Sequence, residues 1–198
     1  PVGCNSGRFP DPMGLFDSLL GRTKVEKPTL ERLFAISTAQ VTLDTELDLH
    51  PSQKAAICFK PMASSRFRES GKDIEDMVRM AFSDSGTKME RTVDEYKYEW
   101  FTLTDADFED LVTTIHVTAQ SMTDDGFGEQ LLCALFGFEP GNVRFVYNFK
   151  RGSFYPFVPQ GKNHRDTERE LQLQARMENE LPIEPELERW YPLWDAPI

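Results

Sequence analysis

The chain has 198 residues, 39% hydrophobic and 28% charged, with 15 Phe, 5 Tyr and 3 Trp, which excludes disordered and fibrous chains and predicts one folded domain. A net charge of −11 argues against nucleic-acid binding over the whole surface. No window approaches the roughly 18 apolar residues of a spanning helix, and the start lacks the layout of an export signal, so a cytoplasmic location is expected.

Residues 1–12 hold three prolines and two glycines ahead of Met13 and Gly14, and read as a tag or upstream extension outside the fold. An amphipathic segment spans 13–27. Leu15, Phe16, Leu19 and Leu20 share a helical face, Asp17, Ser18 and Arg22 lie opposite, and Lys24 and Lys27 follow. Such a helix suits packing on its own domain, a membrane surface or a partner's groove. Its first residues also fit the N-myristoylation pattern if Met13 is the initiator.

The spacing of Leu30, Leu33, Phe34 and Ile36 after Pro28 predicts a helix over 29–37, with Val41–Leu43 as a short strand. Lys54–Lys60 reads as a core strand ended by Pro61. A helix over 71–83 places Ile74, Met77, Val78, Ala81 and Phe82 on one stripe, and the chain turns at Ser83–Gly86. Residues 87–103 alternate polar and apolar as one antiparallel strand with a solvated face. Thr104 and Asp107 form a near capping box for a helix running to a stop at Gly126. Residues 129–138 read as a buried strand, turned at Pro140–Asn142 into a second strand, Val143–Phe149. The FYPFVP run is too proline-rich for a central strand, a polar helix covers 165–180, and 181–198 is an extended tail. The expected architecture is a single α+β domain over 13–198, a mainly antiparallel sheet with helices on one face.

Signals for chemistry are weak. His50, His116 and His164 are scattered with no Cys or His at ligand spacing, so no metal or other cofactor is expected. There is no G-x-S-x-G elbow, Cys58 and Cys133 sit in apolar runs as buried reduced thiols do, and the Gly126-Phe127-Gly128 run lacks a phosphate-loop Lys. No catalytic residue is assigned. Charge gives a clearer signal, because Gly141–Arg165 holds five bases (Arg144, Lys150, Arg151, Lys162, Arg165) and no acid, interleaved with Phe145, Tyr147, Phe149, Phe154, Tyr155 and Phe157. That pattern suits an acidic protein surface or anionic headgroups; it would suit single-stranded nucleic acid too, which the net charge disfavours. After Arg165 the chain has nine acids and three bases and ends in an aromatic string whose Trp190, Tyr191 and Trp194 are expected to fold back on the domain, with partner binding as the alternative.

Several segments together carry a family resemblance: MGLFDSLLGR, LERLFAISTAQVTL, AAICF, DFEDLVTTIH, DDGFGEQLLCALFGF, YNFKRGSFYPFVP, RDTERELQL and LPIEPELERWYPLW. From Met13 essentially to Pro197 the chain resembles the PspA-associated protein PspAB family, the KRGSFYPFVP and ELERWYPLW blocks being the most specific. The resemblance implies gene-neighbourhood association with the phage-shock protein PspA, a coiled-coil membrane-stress effector, and often with an HtpX-like membrane metalloprotease. It implies no catalytic residues. Strand and helix order around 95–158 is also similar to YbjN-like and type III secretion chaperone domains, which are dimeric binding modules, so a homodimer is compatible.

Two functions are therefore expected to compete. The first is a non-enzymatic adaptor that engages PspA or its membrane platform through Leu15, Phe16, Leu19 and Leu20 and through Arg144, Lys150, Arg151, Phe154, Tyr155 and Phe157, with Trp190, Tyr191 and Trp194 in the tail. The second is an enzyme, or an accessory of the HtpX-like protease, with a pocket lined by His116 or the 151–165 loop.

Overall fold

A computed structural model describes residues 29–81 and 86–198; the predicted 13–27 helix and Phe82 lie outside the described residues. A 3-10 turn (Glu31–Phe34) leads into α1 (Ala35–Leu47), followed by β1 (His50–Phe59), α2 (Ser65–Ala81), β2 (Lys88–Val93), β3 (Glu99–Thr104), α3 (Phe108–Asp124), β4 (Leu131–Glu139), β5 (Val143–Asn148), β6 (Ser153–Phe157) and α4 (Thr167–Met177). The strands form one six-stranded sheet in the order β2-β3-β1-β4-β5-β6, every neighbouring pair antiparallel. This is the expected α+β class.

Both faces of the central strands are buried, and the two-residue strand period divides their side chains between two cores. Ala55, Ile57 and Phe59 of β1, Phe101 and Leu103 of β3, Ala134, Phe136 and Phe138 of β4, and Phe145 and Tyr147 of β5 meet apolar residues from all four helices. Ala56, Cys58, Trp100, Cys133, Leu135, Val146, Tyr155 and Phe157 face the other way, against Trp190 and Leu193. One face is thus covered by helices and the opposite face by the C-terminal tail.

Five local expectations are corrected. Val41–Leu43 is helical, because Ile36, Ala39 and Leu43 recur at helical spacing and are all buried. That helix stops at Asp48, which is left-handed (φ 53), where Leu49 N–H donates to Leu43 O at 2.9 Å. The next strand begins at His50 instead of Lys54; it bulges at Gln53 (φ 63) and passes so close to Gly137 that a Cβ there would overlap Ser52 Oγ. α2 begins at Ser65, because Ser64 Oγ accepts from Phe67 N–H at 3.1 Å and starts the helix six residues before Gly71.

The single strand over 87–103 is a hairpin. Asp94 N–H donates to Tyr98 O, Asp94 Oδ1 accepts from Tyr98 N–H, Asp94 Oδ2 accepts from Trp100 Nε1, and Lys97 takes φ 69. The N-cap of α3 is Asp107, whose carboxylate accepts from Glu109 N–H at 2.8 Å, while Thr104 ends β3. β6 is an edge strand, as its Pro156 requires. That edge is closed by the tail: Phe154 N–H donates to Pro182 O and Glu184 N–H to Phe154 O, both at 2.8 Å.

Candidate interaction surface

Thr29, the first described residue, is tied to the sheet. Thr29 N–H donates to Phe149 O at 2.9 Å and Thr29 O accepts from the Tyr147 hydroxyl at 2.7 Å, which fixes residue 29 at the β5–β6 turn. The turn needs Gly152, left-handed at φ +62, where a Cβ would lie 2.9 Å from Thr29 Cγ2 and 3.4 Å from Arg32 Cδ. Its tip carries Lys150, half-buried, and Arg151, exposed and 3.8 Å from Glu184 Oε2. Burial lowers the Lys150 pKa; Glu129 pushes it up and Lys60 pushes it down. Arg32 and Lys60 thus lie near Lys150 and Arg151 at this turn.

Most of the remaining basic-aromatic residues are not on the surface. Phe154, Tyr155 and Phe157 are buried: Phe154 packs on Tyr147 in the helix-side core, Tyr155 stacks on Trp190 at 6.2 Å, and the Phe157 ring meets Trp194 edge-on at 5.2 Å. Alternation along a strand whose two faces are both covered puts every one of these rings inside. Arg144 is buried as well, which corrects its reading as a surface cation. Of the expected surface on 141–165, Lys150 and Arg151 remain at the exterior, with the exposed Lys162 on a separate loop.

Buried Arg144 and half-buried Arg165 grip the tail. Arg165 Nη1 donates to Trp190 O at 2.7 Å, the Tyr155 hydroxyl to Tyr191 O at 3.0 Å, and Arg144 Nη1 to Leu193 O at 3.2 Å. Trp190 and Tyr191 are buried and Trp194 is half-buried, so this string covers its own sheet, the first of its two expected roles. Both guanidinium groups also lie over the Phe157 ring, with carbons 5.9 Å and 5.2 Å from its centroid. Arg165 is neutralised by buried Glu170 at 2.8 Å, and Glu170 also accepts from Val158 N–H. Burial raises the Glu170 pKa against the opposing pull of Val158 N–H and Arg165. Burial lowers the Arg144 pKa, and Arg144 Nε and Arg165 Nη2 have no hydrogen-bond partner among the described residues.

The histidines do not converge. His50 bonds Asp44 through Nδ1 and lies 3.3 Å from Asp48 through Nε2, the His116 ring lies tilted against Phe34 at 4.7 Å, and His164 bonds Lys162 O. Among the described residues no group of three His, Cys, Asp or Glu could hold a metal ion. A shallow cleft between α1 and α4 is lined by Leu47, Arg169, Gln172, Leu173 and Arg176 and includes neither His116 nor any residue of 151–165. No described helix is long and apolar enough to cross a membrane.

The hydrogen bond to Asp44 raises the His50 pKa, whereas burial lowers that of His116. The stabilising contribution of His50 is complete below its unfolded value of about 6.5 and is lost as pH rises through the raised folded value. His116 acts in the opposite direction, its contribution falling as pH drops. An imidazole NMR titration should show His50 protonating above, and His116 below, the ordinary histidine range. Asp44→Asn should bring His50 down; a His50 midpoint indifferent to that change would show that the pair does not form.

No curated protein and no solved structure matches the chain significantly. The family model of PspA associated protein B, PspAB, matches residues 13–198, so it spans the N-terminal segment, the sheet with its four helices, and the tail that closes the second face. The chain belongs to the PspAB family.

Proposed function

We propose that this protein is a non-enzymatic adaptor of PspA, which it contacts through residues 13–27 together with the cations around the β5–β6 turn. The observation that carries the reading is the pair of hydrogen bonds holding Thr29 to Phe149 and Tyr147. They hold Thr29, two residues after the amphipathic segment ends in sequence, close to Lys150, Arg151 and Arg32, and that segment carries Lys24 and Lys27 of its own. In a chain of net charge −11 this is a local basic site, suited to steering an acidic partner surface into contact. The PspA link itself comes from the family.

The test uses two variants, one lacking residues 13–27 and one carrying Lys150→Gln with Arg151→Gln. Each is assayed for binding to PspA from the same source, with circular dichroism as the control on folding. The double substitution should weaken binding about tenfold, equivalent to about 1.4 kcal/mol, and the loss should shrink at high salt. Deletion of 13–27 should remove binding while the fold persists. Undiminished binding by both variants would contradict the reading. Retention on anionic vesicles with no PspA binding would contradict it as well, and would assign the surface to the membrane.

A further inference from the structure

Cys58 and Cys133 are directly opposed on the two central strands. The antiparallel register pairs Cys58 of β1 with Cys133 of β4, so both side chains leave the sheet on the tail face. Opposed residues of an antiparallel pair have Cα atoms about 4.5–5.5 Å apart, inside the range of about 4.4–6.8 Å that a disulfide spans. The pairing slips by one residue immediately beyond, Phe59 matching Leu131, a bulge of the kind that increases local twist. The two thiols are free and buried; burial, and then the neighbouring Cys133, raise the Cys58 pKa. Trp100, Tyr155, Trp190 and Leu193 belong to the same buried cluster, and of these Trp190 and Leu193 come from the tail. The tail thus covers the face of the sheet on which the pair lies.

We propose that Cys58 and Cys133 are a redox modification site, oxidised to an internal disulfide by a low-molecular-weight disulfide when the tail lifts. Cys133, 4% exposed against 0% for Cys58, reacts first. Its thiolate displaces one thiol from the small disulfide and forms a mixed disulfide. The Cys58 thiolate then attacks the Cys133 sulfur and expels the second thiol. Two protein S–H bonds are exchanged for one S–S bond, and the small disulfide leaves as two thiols carrying the two electrons and two protons. The product ties β1 to β4 beneath the tail.

The test uses full-length protein with Cys4→Ser, leaving two thiols per chain. The folded protein is incubated with oxidised glutathione, capped with iodoacetamide and mapped by peptide mass spectrometry. The expected result is loss of both thiols, with Cys58 and Cys133 joined within one chain and reversal by reductant. Leu193→Ala should speed the loss several-fold. Cys58→Ala should halt the sequence at a stable glutathione adduct on Cys133, an outcome that a purely structural thiol would not give. Thiols lost no faster than the protein unfolds globally, separate adducts on both cysteines, or links only between chains would each overturn the proposal.

Discussion

Trp190→Ala should destabilise the fold by about 3–5 kcal/mol, a large part of the roughly 5–15 kcal/mol that holds a domain of this size. The side chain is 4% exposed, stacks on Tyr155 at an interplanar angle of 19°, and donates from Nε1 to Glu184 O at 2.9 Å. Its own carbonyl accepts from Arg165. Removing the indole leaves a cavity over Tyr155, orphans the Glu184 carbonyl and loosens the tail segment whose backbone Arg165 and Tyr155 hold. The sheet face under it contains Cys58, Cys133, Leu135 and Val146, and exposing that surface costs hydrophobic free energy besides. Urea unfolding at unchanged m-value measures the effect, and Trp190→Phe should recover part of it. A cost under about 1 kcal/mol would show that the tail does not cover this face.

Glu170→Ala should cost about 3–5 kcal/mol, the usual penalty for removing one partner of a buried ion pair. Glu170 is 1% exposed and accepts from Arg165 Nε at 2.8 Å and Val158 N–H at 2.8 Å, so its loss leaves Arg165 without its counter-charge and Arg165 Nε and a backbone donor without acceptors. Glu170→Gln keeps an acceptor for Val158 and should cost less. Because burial raises the Glu170 pKa, the folded state holds its proton more tightly than the unfolded chain does. The linkage contribution of this group is therefore present below the unfolded carboxyl value of about 4.3 and is lost as pH rises through the folded value. Glu170 accordingly does not drive acid unfolding, and the difference between wild type and Glu170→Gln should shrink at low pH. Arg144→Met offers the contrast. Arg144 is buried on Phe157 without a paired carboxylate among the described residues, so a side chain of similar volume should cost under about 1.5 kcal/mol. Chemical unfolding of the three variants checks the ordering, and an Arg144→Met cost equal to that of Glu170→Ala would contradict it.

The fold class was legible because hydrophobic periodicity writes burial directly into the chain. LLCALFGFE reads as a buried strand, and DFEDLVTTIH followed by the residues up to Met122 reads as a helix. What failed was set by single side chains acting on the backbone. Asp94 closes the β2–β3 turn through three hydrogen bonds, yet in sequence it is one more polar residue in an alternating run. Ser64 and Asp107 start helices that Gly71 and Thr104 seemed to begin. Val41 and Thr42, β-branched and adjacent, disguised a helix whose buried stripe is Ile36, Ala39 and Leu43.

The interaction surface was harder to read for a reason of the same kind. Charge and aromaticity along 141–165 form one signal in sequence, but strand alternation sends Phe154 to one core and Tyr155 and Phe157 to the other, and leaves Lys150 and Arg151 on the turn. Arg144 and Arg165 were indistinguishable in sequence from surface cations. Only their bonds to the Leu193 and Trp190 carbonyls show them as anchors of the tail. The facing of Cys58 and Cys133 depends on strand register, which no local pattern specifies.

The most direct test of the adaptor reading is light-scattering size exclusion of the full chain, alone and mixed with PspA from the same source. A stable mixed peak heavier than either component is expected, lost when residues 13–27 are removed. Two separate peaks, each at the mass of its component alone, would contradict it.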